Sequence, residues 1–284
     1  TTTYLGLKDQ LDAAFLALRD ITAVDANLLI DLSTIAEHVQ TERMIRINDT
    51  LVAFGKDDNR LYIIDKDTGA VTTQTHDSLS KLIAGNTPKE NDMMAFVGEG
   101  NQIYVYKPDT KALSRTDISY PTESVSIAAP FIYNLRLYLI DTANNQILRH
   151  TKTQTGYDRG TPWLTQTTGV DLTGAVSLAI DGDIFVLKQT GDILKFSVGA
   201  PSTFVITGLD PLLDNPTDMY TYSDMESIFI VESTNTRIVE LNKQGTFKAQ
   251  YISDLWEKPT GMVVDTQDKT IYVLDGSKVY SFTI

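Results

Sequence analysis

Residues 215–252 read NPTDMYTYSDMESIFIVESTNTRIVELNKQGTFKAQYI. Four short β-rich runs lie in this stretch: Met219–Tyr222, Ile228–Glu232, Arg237–Leu241 and Phe247–Tyr251. Polar turns separate them, and Lys243-Gln244-Gly245 supplies residues that tolerate positive φ. Apolar and charged residues alternate in the third run, as a strand with one buried face requires. Nothing between the runs has helical period, so the unit is an antiparallel sheet and not part of a parallel α/β fold.

The centre of this unit recurs along the chain. An aliphatic residue, an aromatic and further aliphatics appear as Leu61-Tyr62-Ile63-Ile64-Asp65, Ile103-Tyr104-Val105-Tyr106 and Leu137-Tyr138-Leu139-Ile140-Asp141. They return as Ile184-Phe185-Val186-Leu187, Ile228-Phe229-Ile230-Val231-Glu232 and Ile271-Tyr272-Val273-Leu274-Asp275. The six aromatics are 42, 34, 47, 44 and 43 residues apart. This period belongs to the four-stranded blade of a β-propeller. Each copy reads as a second strand, with an inner strand about ten residues earlier. In the first and second copies those inner runs are Thr50–Phe54 and Met93–Val97. The fold expected is all-β: a six-bladed β-propeller over 27–284, preceded by an N-terminal helix or linker over 1–26.

The last blade ends after Lys278–Ile284 and lacks an outermost strand. An open edge invites pairing, so a strand from the N-terminal side should close the ring. Asn27–Leu32 is the preferred donor, and Arg43–Ile47 the alternative that leads into the first inner strand. Upstream, Leu7, Leu11, Ala14, Phe15 and Leu18 fall at helical spacing. They predict an amphipathic helix of three to four turns, either lying on the propeller or continuing from an upstream domain. Thr34–Gln40 is a candidate further helical turn. The opening Thr1-Thr2-Thr3-Tyr4 has no Met and no signal-like apolar core, and reads as a piece of something longer.

Composition narrows the function classes. The 284 residues carry 24 Lys and Arg against 37 Asp and Glu, a net charge of −13. Such a chain repels phosphate backbones and anionic lipid, so nucleic acid is not an expected partner. No apolar stretch is long enough to insert in a membrane. Without cysteine there are no disulfides, thiolate metal ligands or cysteine nucleophiles. Asn48-Asp49-Thr50 matches a glycosylation sequon but reads as a chance occurrence.

Motifs of catalysis are scarce. The three histidines, His38, His76 and His150, are scattered and read as surface residues; a metal or acid–base site needs at least two to converge. Asp65-Lys66-Asp67-Thr68-Gly69 alternates acids but lacks the later bidentate Glu of a calcium loop, and reads as a hairpin turn. Asp181, Asp218 and Asp265 border inner strands and are the acids able to reach the channel. The acids that close the second strands (Asp65, Asp141, Glu232 and Asp275) repeat from blade to blade. Repetition implies service to each blade, through backbone hydrogen bonds in turns. No catalytic residue, metal or cofactor is therefore expected. Function should sit on residues that do not repeat. The long segment 151–173 holds Tyr157, Arg159 and Trp163, and 253–260 holds Trp256. Aromatic and Arg side chains on loops suit a binding surface, and both tryptophans also suit packing between strands.

Residues 215–252, together with PTGMVVDTQDKTIYVLDGSKVYSF at 259–282, resemble repeats of the NHL type. Asn235-Thr236-Arg237-Ile238 and Asn144-Asn145-Gln146-Ile147 match the linker of that repeat, while Lys107 departs from its acid. AVSLAIDGDIFVLKQTGDILKF at 175–196 is similar to propeller regions of candidate-phyla bacterial proteins. There a metal-dependent serine/threonine phosphatase-like domain and a membrane-spanning segment precede the propeller. The resemblance implies a sensor-like or adhesive domain, extracytoplasmic and membrane-anchored through its parent, with a protein, peptide or glycan ligand. Two rivals remain open: a metal-dependent lyase or hydrolase with its site in the central channel, and a structural spacer or oligomerising domain.

Overall fold

The computed structural model describes residues 4–75, 81–88 and 92–284. A helix, α1 (Tyr4–Leu18), leads into β1 (Ile21–Ala23) and β2 (Asn27–Asp31). Blade 1 follows as β3 (Arg43–Ile47), β4 (Thr50–Gly55), β5 (Asp58–Asp65) and β6 (Val71–Gln74). Blade 2 is β7 (Leu82–Asn86), β8 (Met94–Gly98), β9 (Gln102–Lys107) and β10 (Ala112–Thr116). Blade 3 is β11 (Ile127–Tyr133), β12 (Arg136–Asp141), β13 (Gln146–Thr151) and β14 (Thr161–Pro162). Blade 4 is β15 (Ala175–Ile180), β16 (Ile184–Lys188), β17 (Ile193–Ser197) and β18 (Ala200–Ser202). Blade 5 is β19 (Pro216–Tyr220), β20 (Ser227–Glu232), β21 (Arg237–Asn242) and β22 (Phe247–Ile252). Blade 6 is β23 (Pro259–Asp265), β24 (Thr270–Asp275) and β25 (Lys278–Thr283), completed by β2.

The chain is thus a six-bladed propeller closed by its N-terminal strand. The closing strand is the preferred one: Asn27 pairs with Ser281 and Asp31 with Lys278, antiparallel. Ser277 Oγ donates to Asp31 Oδ1 at 2.9 Å, which pins the end of that pairing. Residues 21–23, grouped above with the N-terminal linker, add a fifth strand to blade 5, with Ile21 parallel to Gln250. Of the apolar stripe of α1, Leu7, Leu11 and Leu18 are exposed. The short helical turn after β2 falls at Leu32–Thr34, earlier than expected.

Two blades differ from the strand assignment read off the repeat. Tyr62 and Tyr104 lie on third strands, β5 and β9, whereas Tyr138, Phe185, Phe229 and Tyr272 lie on second strands. The 34-residue interval from Tyr104 to Tyr138 is short because it runs from a third strand to a second strand and so is one strand shorter than a full blade. The runs at 50–54 and 93–97 are accordingly second strands, and the inner strands of blades 1 and 2 are Arg43–Ile47 and Leu82–Asn86. Asn48, at φ 51°, makes the tight turn between β3 and β4. The outer strand of blade 2, hard to see in the sequence, is Ala112–Thr116.

Apolar clusters fill the wedges between blades. Phe229 and Val231 meet Met262, Val264 and Val273 across blades 5 and 6. Val52 and Phe54 meet Met94 and Phe96 across blades 1 and 2, with the two Phe rings edge-on at 5.0 Å. Gly85 on β7 gives them room, since a Cβ there would come within 3.0 Å of both rings. Burying each large apolar side chain contributes about 1.5–3 kcal/mol.

Candidate functional site: the central channel and its mouth

The second-strand acids act within the scaffold. Asp141 accepts from Ser126 N at 3.0 Å and from Asn144 Nδ2 at 2.7 Å. Glu232 repeats the arrangement with Asp214 N at 2.7 Å and Asn235 Nδ2 at 2.6 Å, and adds buried Arg237. Asp275 accepts from Lys258 N at 2.9 Å. In each case the acid fastens the segment leading into its own inner strand. Blade 4 reverses the polarity: Lys188 Nζ reaches Asp171 Oδ2 at 3.0 Å. Asp65 does something else. It caps its own turn, accepting from Thr68 N at 2.8 Å, and it is exposed. The fastening acid of blade 1 is Asp58, at the start of β5, which accepts from Gln40 N at 3.2 Å and Tyr62 Oη at 2.7 Å.

The turns between second and third strands reach the next blade. Asn101 Nδ2 donates to Val125 O at 3.0 Å, and Asn145 Oδ1 accepts from Leu172 N at 2.8 Å. Gln189 Nε2 donates to Asn215 Oδ1 at 2.8 Å, and Thr41 Oγ1 donates to Gly276 O across the closing seam.

The channel runs between the inner strands and narrows to a cavity of about 50 Å³. Among its polar groups are Arg43 and Arg46 from β3, Asn86 from β7, Ser177 from β15 and Asp218 from β19. Ser177 Oγ donates to Asp218 Oδ1 at 2.9 Å, and Met219 N donates to the same oxygen at 2.9 Å. Burial pushes the Asp218 carboxyl up, against the pull of the Arg43 guanidinium and these two hydrogen bonds. Arg43 itself donates to Thr217 O. Asn86 bridges two neighbours, with Oδ1 accepting from Ile132 N at 2.8 Å and Nδ2 donating to Tyr222 Oη at 3.3 Å.

At one end the channel opens into a basin of about 280 Å³, where β3, β7, β19 and β23 end. Arg46, Thr87, Tyr220 and Tyr222 line both spaces. Arg46 meets Asp265 at 2.8 Å and donates from Nε to Asn48 O at 2.6 Å. Asp265 also meets Lys66 at 3.2 Å. Burial opposes ionisation of Asp265, but Arg46 and Lys66 hold its carboxyl below the usual range. Thr87 is 4% exposed, and its Oγ1 has no hydrogen-bond partner.

Of the three acids expected near the channel, Asp218 lines it and Asp265 stands at the mouth. Asp181 instead pairs with Lys243 at 2.8 Å. Arg43, Arg46 and Thr87 were missed, because Arg43–Ile47 and Leu82–Asn86 had not been read as inner strands. The Asn48-Asp49 turn before Thr50–Phe54 is the signal that finds the first of these.

The loop residues singled out in the sequence fall outside the channel. Tyr157 is 7% exposed, and burial raises its phenol to about 12. Arg159 is exposed and donates to the carbonyls of Tyr120 at 3.2 Å and Pro121 at 2.8 Å. Trp163 is half-buried, edge-on to Tyr138 at 6.4 Å. Trp256 is 5% exposed and packs on Phe282 at 5.7 Å.

His150 is not a surface residue. The segment after β13 folds back over it, and Gly160, at φ 72°, leaves the space that a Cβ would take from the ring. Its Nδ1 lies 3.0 Å from Asp158 O, and burial depresses its pKa. His38 precedes β3, and His76 lies outside the described residues. Among the described residues no group of three His, Asp or Glu side chains converges to hold a metal ion.

No protein-family model and no curated protein sequence matches the chain. Solved structures do. A protein of unknown function from Bacteroides thetaiotaomicron VPI-5482 superposes with a TM-score of 0.66 at 16% identity, over 93% of this chain and 74% of the other. A catalytically inactive histidine-to-alanine variant of virginiamycin B lyase from Staphylococcus aureus, with quinupristin, gives 0.59 at 16% identity, over 88% and 82%. A streptogramin B lyase gives 0.58 at 16% identity, over 87% and 80%. At this identity the likeness is one of fold.

Proposed function

We propose that the chain is a non-catalytic recognition propeller of a larger protein, binding a protein, peptide or glycan. The observation that carries this reading is the state of the channel. It narrows to about 50 Å³, room for a little water but not for a substrate. Its acid is already hydrogen-bonded and its mouth acid already ion-paired. Recognition then belongs to the rim and outer loops, with exposed Arg159 and half-buried Trp163 as part of that surface. Tyr157 and Trp256 are buried and serve packing. An upstream phosphatase-like domain or membrane anchor belongs to the same proposal, on the strength of the NHL-type resemblance.

The alternative is a lyase, favoured by the two lyases among the solved neighbours. One of them is inactive as a histidine variant. Here neither described histidine lines the channel or its mouth, and among the described residues no group of His, Asp and Glu side chains fits a metal centre. One experiment separates the two readings. The purified chain is incubated with quinupristin and followed by chromatography, and in parallel applied to peptide and glycan arrays. The recognition reading expects saturable binding and no conversion, with Arg159→Ala/Trp163→Ala weakening capture of a peptide or protein partner. Conversion of quinupristin would overturn it.

A further inference from the structure

Helix α1 carries an apolar seam. Tyr4, Leu7, Leu11, Ala14 and Leu18 are spaced three, four, three and four residues apart, the a and d positions of a heptad repeat. On a helix these positions form one narrow stripe. Tyr4 is 81% exposed, Leu7 56%, Leu11 57% and Leu18 80%, and Ala14 is exposed as well. Leu16, on the other side of the helix, is half-buried. A helix of 15 residues is marginal in water on propensity alone and gains most of its stability by packing its apolar face.

The base of the helix is fixed to blade 5. Arg19 meets Asp210 at 3.0 Å, and Gln250 Nε2 donates to Arg19 O at 2.9 Å. Strand β1, just beyond, pairs in the sheet of that blade. Whatever packs on the seam is therefore coupled to the ring.

Spacing and charge select the occupant. A seam of this period is self-complementary and packs against a copy of itself, knobs into holes. The positions that flank it within α1 are Lys8, Gln10, Phe15 and Ala17, with one charge among them, so pairing forces no like charges together. Lys8 and Arg19 balance Asp9 and Asp12, so the whole net charge of −13 lies outside this segment. A second acidic chain meets less repulsion there than over the ring. We propose that α1 pairs with the α1 of a second copy of this chain, joining two propellers through a short two-helix coiled coil. The four large exposed side chains of each helix bury on the order of 1,000 Å² in the pair, at the weak end of specific interfaces. Dissociation constants of about 10–100 µM follow. The pairing goes beyond the recognition reading and stands apart from it; two joined rings present two copies of whatever surface each ring has.

Sedimentation velocity of the whole chain, from about 1 to about 300 µM, is the test. The average mass should rise from one chain toward two. Leu7→Gln/Leu11→Gln/Leu18→Gln keeps helix-forming residues but removes the seam. It should weaken association by about tenfold or more, while the ring melts as in the dilute parent. Because the chain has no cysteine, a single introduced one reports contact. Leu11 is the midpoint of the seam and faces its own copy whether the helices run parallel or antiparallel. Leu11→Cys should therefore give a disulfide-linked dimer when oxidised with diamide, and Ala13→Cys, on the opposite side of the helix, should not. A single chain at every concentration, association unchanged in the triple variant, or equal cross-linking of the two cysteine variants would overturn the pairing. The first of these results would give the seam to an unlike partner.

Discussion

Glu232 and Asp65 close the same sequence pattern, an aliphatic–aromatic run ending in an acid, yet they do different work. Glu232 is fully buried and fastens the lead-in of blade 5 while neutralising Arg237. Asp65 is exposed and caps its own turn, accepting from Asp67 N, Thr68 N and Thr68 Oγ1. The difference follows from strand position. A second strand ends beside the segment that enters its own inner strand, so an acid there can bridge two parts of a blade. A third strand ends at the outer hairpin, where only a turn is within reach. Repetition in sequence therefore marks a packing rule, and the strand it sits on decides what the rule does.

The comparison can be broken most forcefully at blade 5. Glu232→Ala leaves the Arg237 guanidinium buried without its counter-charge and should cost about 3–5 kcal/mol in denaturant unfolding. Asp65→Ala should leave the unfolding midpoint close to that of the parent protein. Equal losses from the two would erase the distinction. Phe229→Ala, on the same second strand, should cost about 3–5 kcal/mol by opening a cavity against blade 6; a loss below about 1 kcal/mol would mean that the wedge is misread. Tyr62→Phe asks whether Asp58 has taken over the fastening role in blade 1. It removes a 2.7 Å donor from a buried carboxylate and should cost about 1–2 kcal/mol.

The smallest effect concerns the reversed pair of blade 4. The Thr173 backbone N–H, then Lys188, hold the Asp171 carboxyl down to about 2 from an ordinary 3.8. A folded-state value below the unfolded one means that the unfolded chain binds more protons between them. This contribution to stability is present above about pH 4 and is lost as pH falls toward 2. Carbon-detected NMR titration should show Lys188→Met raising the midpoint only part of the way back, because Thr173 still donates.

The number of blades, the closing strand and the scaffold role of the repeated acids are legible in the sequence, since each rests on local alternation and fixed spacing. The strand register of blades 1 and 2 is not. Leu61–Asp65 imitates a second strand, and Arg43–Ile47 carries two arginines where the other inner strands are largely apolar or hydroxylated. The burial of His150 is also hidden, because it depends on a loop returning over β13 and on the missing side chain of Gly160. Thr87 gives no local signal at all.

The central claim is that residues repeated from blade to blade hold the ring, while unrepeated residues on the rim and outer loops recognise the ligand. Its most direct test sets Glu232→Ala against Arg159→Ala/Trp163→Ala, each followed by thermal melting and by capture of the peptide, protein or glycan that the parent chain binds. The account predicts a lowered melting point for Glu232→Ala with capture retained below it, and weakened capture for Arg159→Ala/Trp163→Ala with a melting point closer to the parental one. Full capture by Arg159→Ala/Trp163→Ala, or a Glu232→Ala chain as stable as the parent, would contradict it.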